Sequence, residues 1–160
     1  MKHIINISEL DFKPMPGPMP EEVKAKYEGA TIGFAGALIG AQKLGYNVTA
    51  VPAGKRAFPF HSHMANEEMF FVLEGEGEVR IGAETLPIKK GDLISCPPGG
   101  ADSAHQIVNT SANELRYLAV STKISPEVAE YPDTGKFGVL AEGMRFVGKK
   151  DQSLGYWDGE

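Results

Sequence analysis

Two histidines separated by one residue, His61 and His63, are followed by a carboxylate at Glu68, and a third histidine, His105, comes shortly after a Pro-Gly turn. Imidazole nitrogen and carboxylate oxygen are donors for first-row divalent ions, and a mixed set of this kind suits Fe, Mn, Ni, Zn or Cu. The set is useful only if the four side chains meet, and strand geometry allows that. Side chains alternate between faces, so His61 and His63 project from the same side, and Glu68 can reach the same point from the next strand after a short turn. A lone histidine is ordinarily a core or surface residue. Here three of the chain's four histidines share one pattern, with only His3 left over, and the expectation is one divalent metal ion per chain.

The elements that must position these residues are short strands. From Ala30 onward, runs rich in Val, Ile, Phe and Tyr are punctuated by glycine-bearing turns, the pattern of an antiparallel barrel or sandwich. They fall at 31–39, 45–52, 57–63, 68–73, 76–81, 92–96, 104–109 and 114–122. Strands do not alternate with long helices, which disfavours a doubly wound nucleotide fold. The glycines of residues 33–40 lack the G-x-G-x-x-G spacing, so this stretch reads as a tightly packed strand. Ahead of the strands, prolines at 14, 16, 18 and 20 predict an extended arm, followed by a short helix over Glu21 to Tyr27 that Gly29 ends. Beyond Ser125 the chain is turn-rich, with Tyr131 to Gly135 a turn, and reads as a second arm anchored by Tyr156 and Trp157. The expected organisation is one domain over 1–160, with an N-terminal arm at 1–30, a barrel at 31–124 and a C-terminal arm at 125–160.

The stretches from Gly54 to Gly75 and from Gly91 to Asn109 together resemble the two cupin motifs, G-x5-H-x-H-x3,4-E-x6-G and G-x5-P-x-G-x2-H-x3-N. The resemblance selects Glu68 over its neighbour Glu67, because only Glu68 keeps the six-residue spacing to Gly75. Two loops depart from the pattern: six residues separate Gly54 from His61, and five separate Gly99 from His105, which implies a possible bulge and a longer rim loop. Neither removes a ligand. The resemblance implies an all-β, jelly-roll antiparallel barrel and a range of functions spanning dioxygenases, decarboxylases, isomerases and non-catalytic ligand binders. The primary expectation is a metal-dependent enzyme on a small oxygenated or carboxylated metabolite; the alternative is a non-catalytic cupin that binds a metal or small ligand. Glu67, Asp102 and Ser103 lie near the motifs as rim residues, and no catalytic acid or base stands out beyond the ligands.

If Glu68 points inward, so do Phe70 and Val72, while Met69, Phe71 and Leu73 point outward and need a cover, from an arm or a second subunit. A homodimer is expected, as is common among proteins that resemble this one. The cavity beside the metal is expected to be mainly apolar, lined by Phe70 and Val72, with Arg56, Arg80 and Arg116 outside it.

Composition excludes other classes. The formal net charge is −5 and the basic clusters are only pairs, which argues against nucleic acid as a partner. No apolar stretch approaches the length of a membrane helix, and the N-terminus lacks the regions of a secretory signal, so the mature chain is expected to start near Met1. Cys96 is the single cysteine and reads as a small buried hydrophobe, and a cytoplasmic protein is expected.

Overall fold

The computed structural model describes residues 2–160, so the expected chain start at Met1 lies outside the described residues. In chain order the elements are β1 (Lys13–Pro14), α1 (Glu21–Tyr27), β2 (Thr31–Phe34), β3 (Leu44–Val51), β4 (Ser62–His63), β5 (Glu68–Glu74), β6 (Glu76–Ile81), β7 (Glu84–Lys89), β8 (Leu93–Cys96), β9 (His105–Val108), β10 (Leu115–Thr122), β11 (Glu127–Tyr131), β12 (Lys136–Ala141) and β13 (Met144–Lys149). A six-stranded sheet runs β1-β2-β3-β10-β5-β8. The remaining strands form β7-β6-β9 and β4-β11-β12-β13, and one bridge between His61 and His105 joins these two groups. All pairings are antiparallel. The expected all-β jelly roll is met, as two sheet layers that do not close into a continuous hydrogen-bonded ring.

The core between the layers is built by the inward face of β5, where Phe70 and Val72 are buried, together with Val51, Val79, Ile107, Leu115 and Tyr117. Alternation along β5 holds from Glu68 to Leu73. The outward side chains Met69, Phe71 and Leu73 are half-buried rather than exposed. Leu73 packs with Leu118, Tyr46 and Val48 under Ile5, Leu10 and Phe12, so the N-terminal segment is part of the cover that the sequence demands. Gly75, the last glycine of the first motif, has φ +82°, and a Cβ there would stand 2.5 Å from the backbone oxygen of Glu114. The turn into β6 therefore admits only glycine without strain.

Several local expectations are corrected. The run at 31–39 is a strand only to Phe34; Gly36–Ile39 is a 3-10 turn that ends at Gly40 with φ +81°. The run at 57–63 collapses to the two residues of β4, because Pro59 removes a donor and the chain meets its neighbours only at single bridges, Arg56–Val108 and His61–His105. β7 is not among the expected strands; it carries Pro87, which is tolerated because β7 is the edge of its sheet. The C-terminal segment is a three-stranded meander, with β11 paired to β4. Tyr156 and Trp157 do not anchor it: they are 87% and 77% exposed and stack on each other with ring centroids 4.8 Å apart. The expected helix over Glu21 to Tyr27 is present, with Glu21 and Glu22 in its first turn and Lys24 and Lys26 in its last. Among the described residues, no helix is long and apolar enough to cross a membrane.

Candidate metal centre

Backbone pairings deliver the four candidate side chains. His61 is fixed by the reciprocal bridge to His105, whose amide and carbonyl exchange hydrogen bonds with those of His61 at 2.8 and 3.2 Å. His63 sits two residues on, in β4, opposite Ala129 of β11. Glu68 opens β5, opposite Ser121 of β10 and Cys96 of β8. The result is convergence on one atom. The Nε2 atoms of His105, His63 and His61 lie 2.9, 3.5 and 3.9 Å from the same oxygen, Glu68 Oε2.

His61, Glu68 and His105 each offer a ligand atom, all within 4.8 Å of one another. His63 stands slightly outside that tight trio. Both its ring nitrogens are buried without a hydrogen-bond partner, although carboxylates face them from either side. A buried imidazole left unpaired beside a carboxylate and two further imidazoles fits a divalent ion, which would satisfy the nitrogen that the protein leaves free.

The three rings are oriented alike. Nδ1 of His61 stands 2.8 Å from the carbonyl of Pro59, and Nδ1 of His105 stands 3.3 Å from the carbonyl of Ser103. Nδ1 of His63 faces a carboxylate, Glu127 Oε2, at 3.5 Å. Every ring thus turns Nδ1 to an acceptor outside the cluster and Nε2 to its centre. The Tyr131 ring of β11 stacks on His61, with centroids 6.1 Å apart and planes 22° from parallel.

The electrostatics follow from crowding. Burial opposes charge on Glu68, yet the hydrogen bond from His105 and the proximity of His63 and His61 outweigh it and hold the carboxyl well below the usual range. Burial, reinforced by His105, pushes His61 down to about 4. For His63 burial also lowers the pKa, but Glu68 and Glu127 outweigh it and leave a net rise. Cys96 lies on the same side of β8 as the core, and burial with the nearby Glu68 charge pushes its thiol up to about 12, an inert hydrophobe as expected.

A cavity of about 410 Å³ opens onto His63 and Glu68. Its walls come from Ser121 to Ser125 at the end of β10 and just beyond it, from Glu127, and from Leu140 to Glu142 at the turn of the β12–β13 hairpin. This corrects the expected lining. Phe70 and Val72 do point inward, but they fill the interior, Phe70 against Tyr117 and His105, so the free space lies at the end of the sheet. The surface that lines the cavity is still mainly apolar, as expected, although Lys123, Glu127 and Glu142 bring charge to its walls.

Of the rim candidates, Glu67 is exposed, Asp102 is exposed, and Ser103 offers its backbone carbonyl rather than its hydroxyl to His105. The three arginines stay outside, as expected: Arg80 pairs with Asp133 and lies over the Phe60 ring, Arg116 pairs with Glu114, and Arg56 reaches Gln106. His3 is exposed and belongs to the N-terminal segment. The residues that sequence reasoning missed are Glu127 and Tyr131, both in the segment read as an arm.

The cupin domain family matches residues 47–121, the stretch that carries all four candidate ligands. The chain carries a cupin domain. Two curated relatives align with it. An uncharacterized protein of Methanocaldococcus jannaschii is 35% identical over 71 residues, 44% of this chain and 54% of that protein. An oxalate-binding protein of Thermotoga maritima is 35% identical over 60 residues, 38% of this chain and 47% of that protein. The aligned stretches therefore span only about half the length of either relative. A solved cupin-superfamily structure from Silicibacter pomeroyi, described as a sugar phosphate isomerase, superposes with a TM-score of 0.81 at 22% identity, covering 97% of this chain and 98% of its own. That likeness is one of fold, and it extends through the C-terminal meander as well as the cupin core.

Proposed function

We propose that this cupin is a metal-dependent enzyme acting on a small oxygenated or carboxylated metabolite, with His61, His63, Glu68 and His105 holding one divalent ion. The observation that carries the reading is the aim of three Nε2 atoms at a single Glu68 oxygen, at the wall of a cavity large enough for a small ligand. Four protein donors on a six-coordinate ion leave room for substrate, and a bound ion there supplies Lewis acidity or a redox centre. The chain's own residues do the rest. The three imidazoles and Glu68 hold the ion, Tyr131 and Glu127 back the histidine pair, and the cavity's mixed lining of Ser121, Thr122, Lys123, Ile124 and Leu140 suits a compact molecule with both polar and apolar parts.

The relationship to an oxalate-binding protein favours a second reading, a carboxylate-binding cupin without turnover. One experiment separates them. Protein purified without a metal-affinity step is analysed for metal content, then tested for substrate consumption, including dioxygen uptake, across small hydroxy, oxo and carboxylic acids. Turnover that disappears on chelation and returns with one ion per chain supports the enzyme. Saturable binding of a carboxylate with no product supports the binder. Absence of any bound or acquired ion removes both.

The same proposal includes a homodimer. Phe71 is paired in register with Leu93 on one side and Leu118 on the other, and Leu93 is 70% exposed. This apolar row continues from the patch that the N-terminal segment covers, and a second copy is the cover we assign to it. The single buried cysteine accords with a cytoplasmic setting.

A further inference from the structure

Two of the three imidazoles in the centre are oriented by local backbone. His61 and His105 each turn Nδ1 to the carbonyl two residues earlier, Pro59 and Ser103. His63 has no such option, because the carbonyl two residues before it, that of His61, already accepts the amide of His105 at 2.8 Å. What faces its Nδ1 instead is a carboxylate delivered from far along the chain.

That carboxylate is built into place. Glu127 is 5% exposed. Its Oε1 accepts the amides of Met64, Ala65 and Val128 at 3.1, 3.1 and 2.8 Å, and its Oε2 accepts the amide of Asn66 at 2.9 Å and the Asn66 side-chain amide. Asn66 is in turn fixed by Thr122 and Ile124. These amides belong to the turn that links β4 to β5, so Glu127 ties the His63 end of the site to the Glu68 end. Its rotamer is set by five donors that owe nothing to a metal, and it still presents Oε2 to His63 Nδ1 at 3.5 Å. The separation is long for a hydrogen bond but needs only a small turn of the ring to become one.

We propose that Glu127 is the positioning residue of this centre: it holds the His63 proton on Nδ1, which keeps Nε2 unprotonated and aimed at the point the other imidazoles share. The inference rests on the metal reading above and deepens it. An imidazole with its proton on Nε2 presents a donor where a ligand lone pair is needed; Glu68 Oε2 faces that nitrogen at 3.5 Å, and the carboxylate behind the ring, at the same distance from Nδ1, is what tips the proton the other way. Ala129 stands between Glu127 and Tyr131 on the same side of β11, so this one strand backs both members of the histidine pair, Tyr131 by stacking on His61 and Glu127 by facing His63.

The test is a histidine nitrogen spectrum of the metal-free full chain, recorded well above the imidazole titration range, followed by zinc titration against a competing chelator. Wild type is expected to show His63 with its proton on Nδ1. In Glu127→Gln the remaining oxygen is claimed by the three amides on the Oε1 side, so the NH₂ faces His63 and the proton moves to Nε2. Zinc affinity then falls about 10- to 100-fold, the usual effect of losing an outer carboxylate. A merely structural role for Glu127 would lower stability without moving the proton. Should Glu127→Gln fail to fold, the wild-type spectrum alone decides: a proton on Nε2 of His63 overturns the proposal. So does a Glu127→Gln protein with unchanged spectrum and zinc affinity. A wild type that takes up no zinc counts against the metal reading alone, because the spectrum recorded without metal decides separately whether Glu127 holds the His63 proton on Nδ1.

Discussion

His105→Ala is the perturbation whose size can be worked out most directly. His105 is 3% exposed, and its Nε2 makes the 2.9 Å hydrogen bond to Glu68 Oε2, the one hydrogen bond that this carboxylate accepts among the described residues. Truncation leaves a buried carboxylate without its donor and a void where the ring packed against Phe70. Loss of a partner to a buried charged group costs about 1–3 kcal/mol, and the void adds to that. For a chain of this size each kcal/mol moves Tm by about 2–4 °C, so the metal-free variant should melt about 5–10 °C below wild type. Metal adds a second, separable effect. An ion at about 100 times its Kd stabilises wild type by about 2.7 kcal/mol, again about 5–10 °C. His105→Ala should lose most of that gain, because it removes a ligand from the tight trio. Differential scanning calorimetry with and without zinc reads both. A variant that keeps the full zinc-induced shift would show that His105 is not a ligand, and one whose metal-free Tm is unchanged would show that the contact to Glu68 contributes nothing.

Three further outcomes are expected. Gly75→Ala should cost about 3 kcal/mol or more by denaturant titration, since the positive φ strains any side chain and its Cβ meets backbone at Glu114; a loss under about 1 kcal/mol would contradict that geometry. His63 binds its proton more tightly folded than unfolded, so it stabilises the metal-free protein below about pH 6.5, and that contribution is lost as pH rises through the raised folded value. Metal affinity runs the other way, strengthening about tenfold per pH unit for one displaced proton until His63 is neutral, and a flat affinity across this range would show that no imidazole proton is displaced. Light scattering should give a dimer mass that Leu93→Asp reduces to that of a monomer, whereas a wild type already monomeric at micromolar concentration would remove the second copy as the cover of Phe71.

The convergence of the four candidate side chains was legible because their grouping is local and periodic. The one-residue gap between His61 and His63 has a single meaning on a strand, and the short turn to Glu68 keeps that meaning intact. The parity of β5 was legible for the same reason, down to Phe70 and Val72 in the core. Glu127 was not. It meets the β4–β5 turn across more than sixty residues of chain. Its own strand carries Glu127 and Glu130 on opposite faces, so alternation does not say which carboxylate is buried. The turn-rich chain beyond Ser125 and the turn from Tyr131 to Gly135 suggest an arm, whereas they enclose a strand. The cavity lining was missed by a related step: an inward side chain was equated with one facing free space, but a packed interior leaves its space only at the end of the sheet.

The bridge between β4 and β11 also bears on synthesis. The four candidate ligands emerge from the ribosome within the stretch from His61 to His105, while the strand that carries Glu127 and Tyr131 follows only after Ser125. During that interval a nascent chain already has three imidazoles and a carboxylate but lacks their backing, a looser and less discriminating chelator than the finished fold. On the proposed metal reading, the choice of ion in the cell then depends on timing as well as on geometry, on whether capture comes before or after β11 docks.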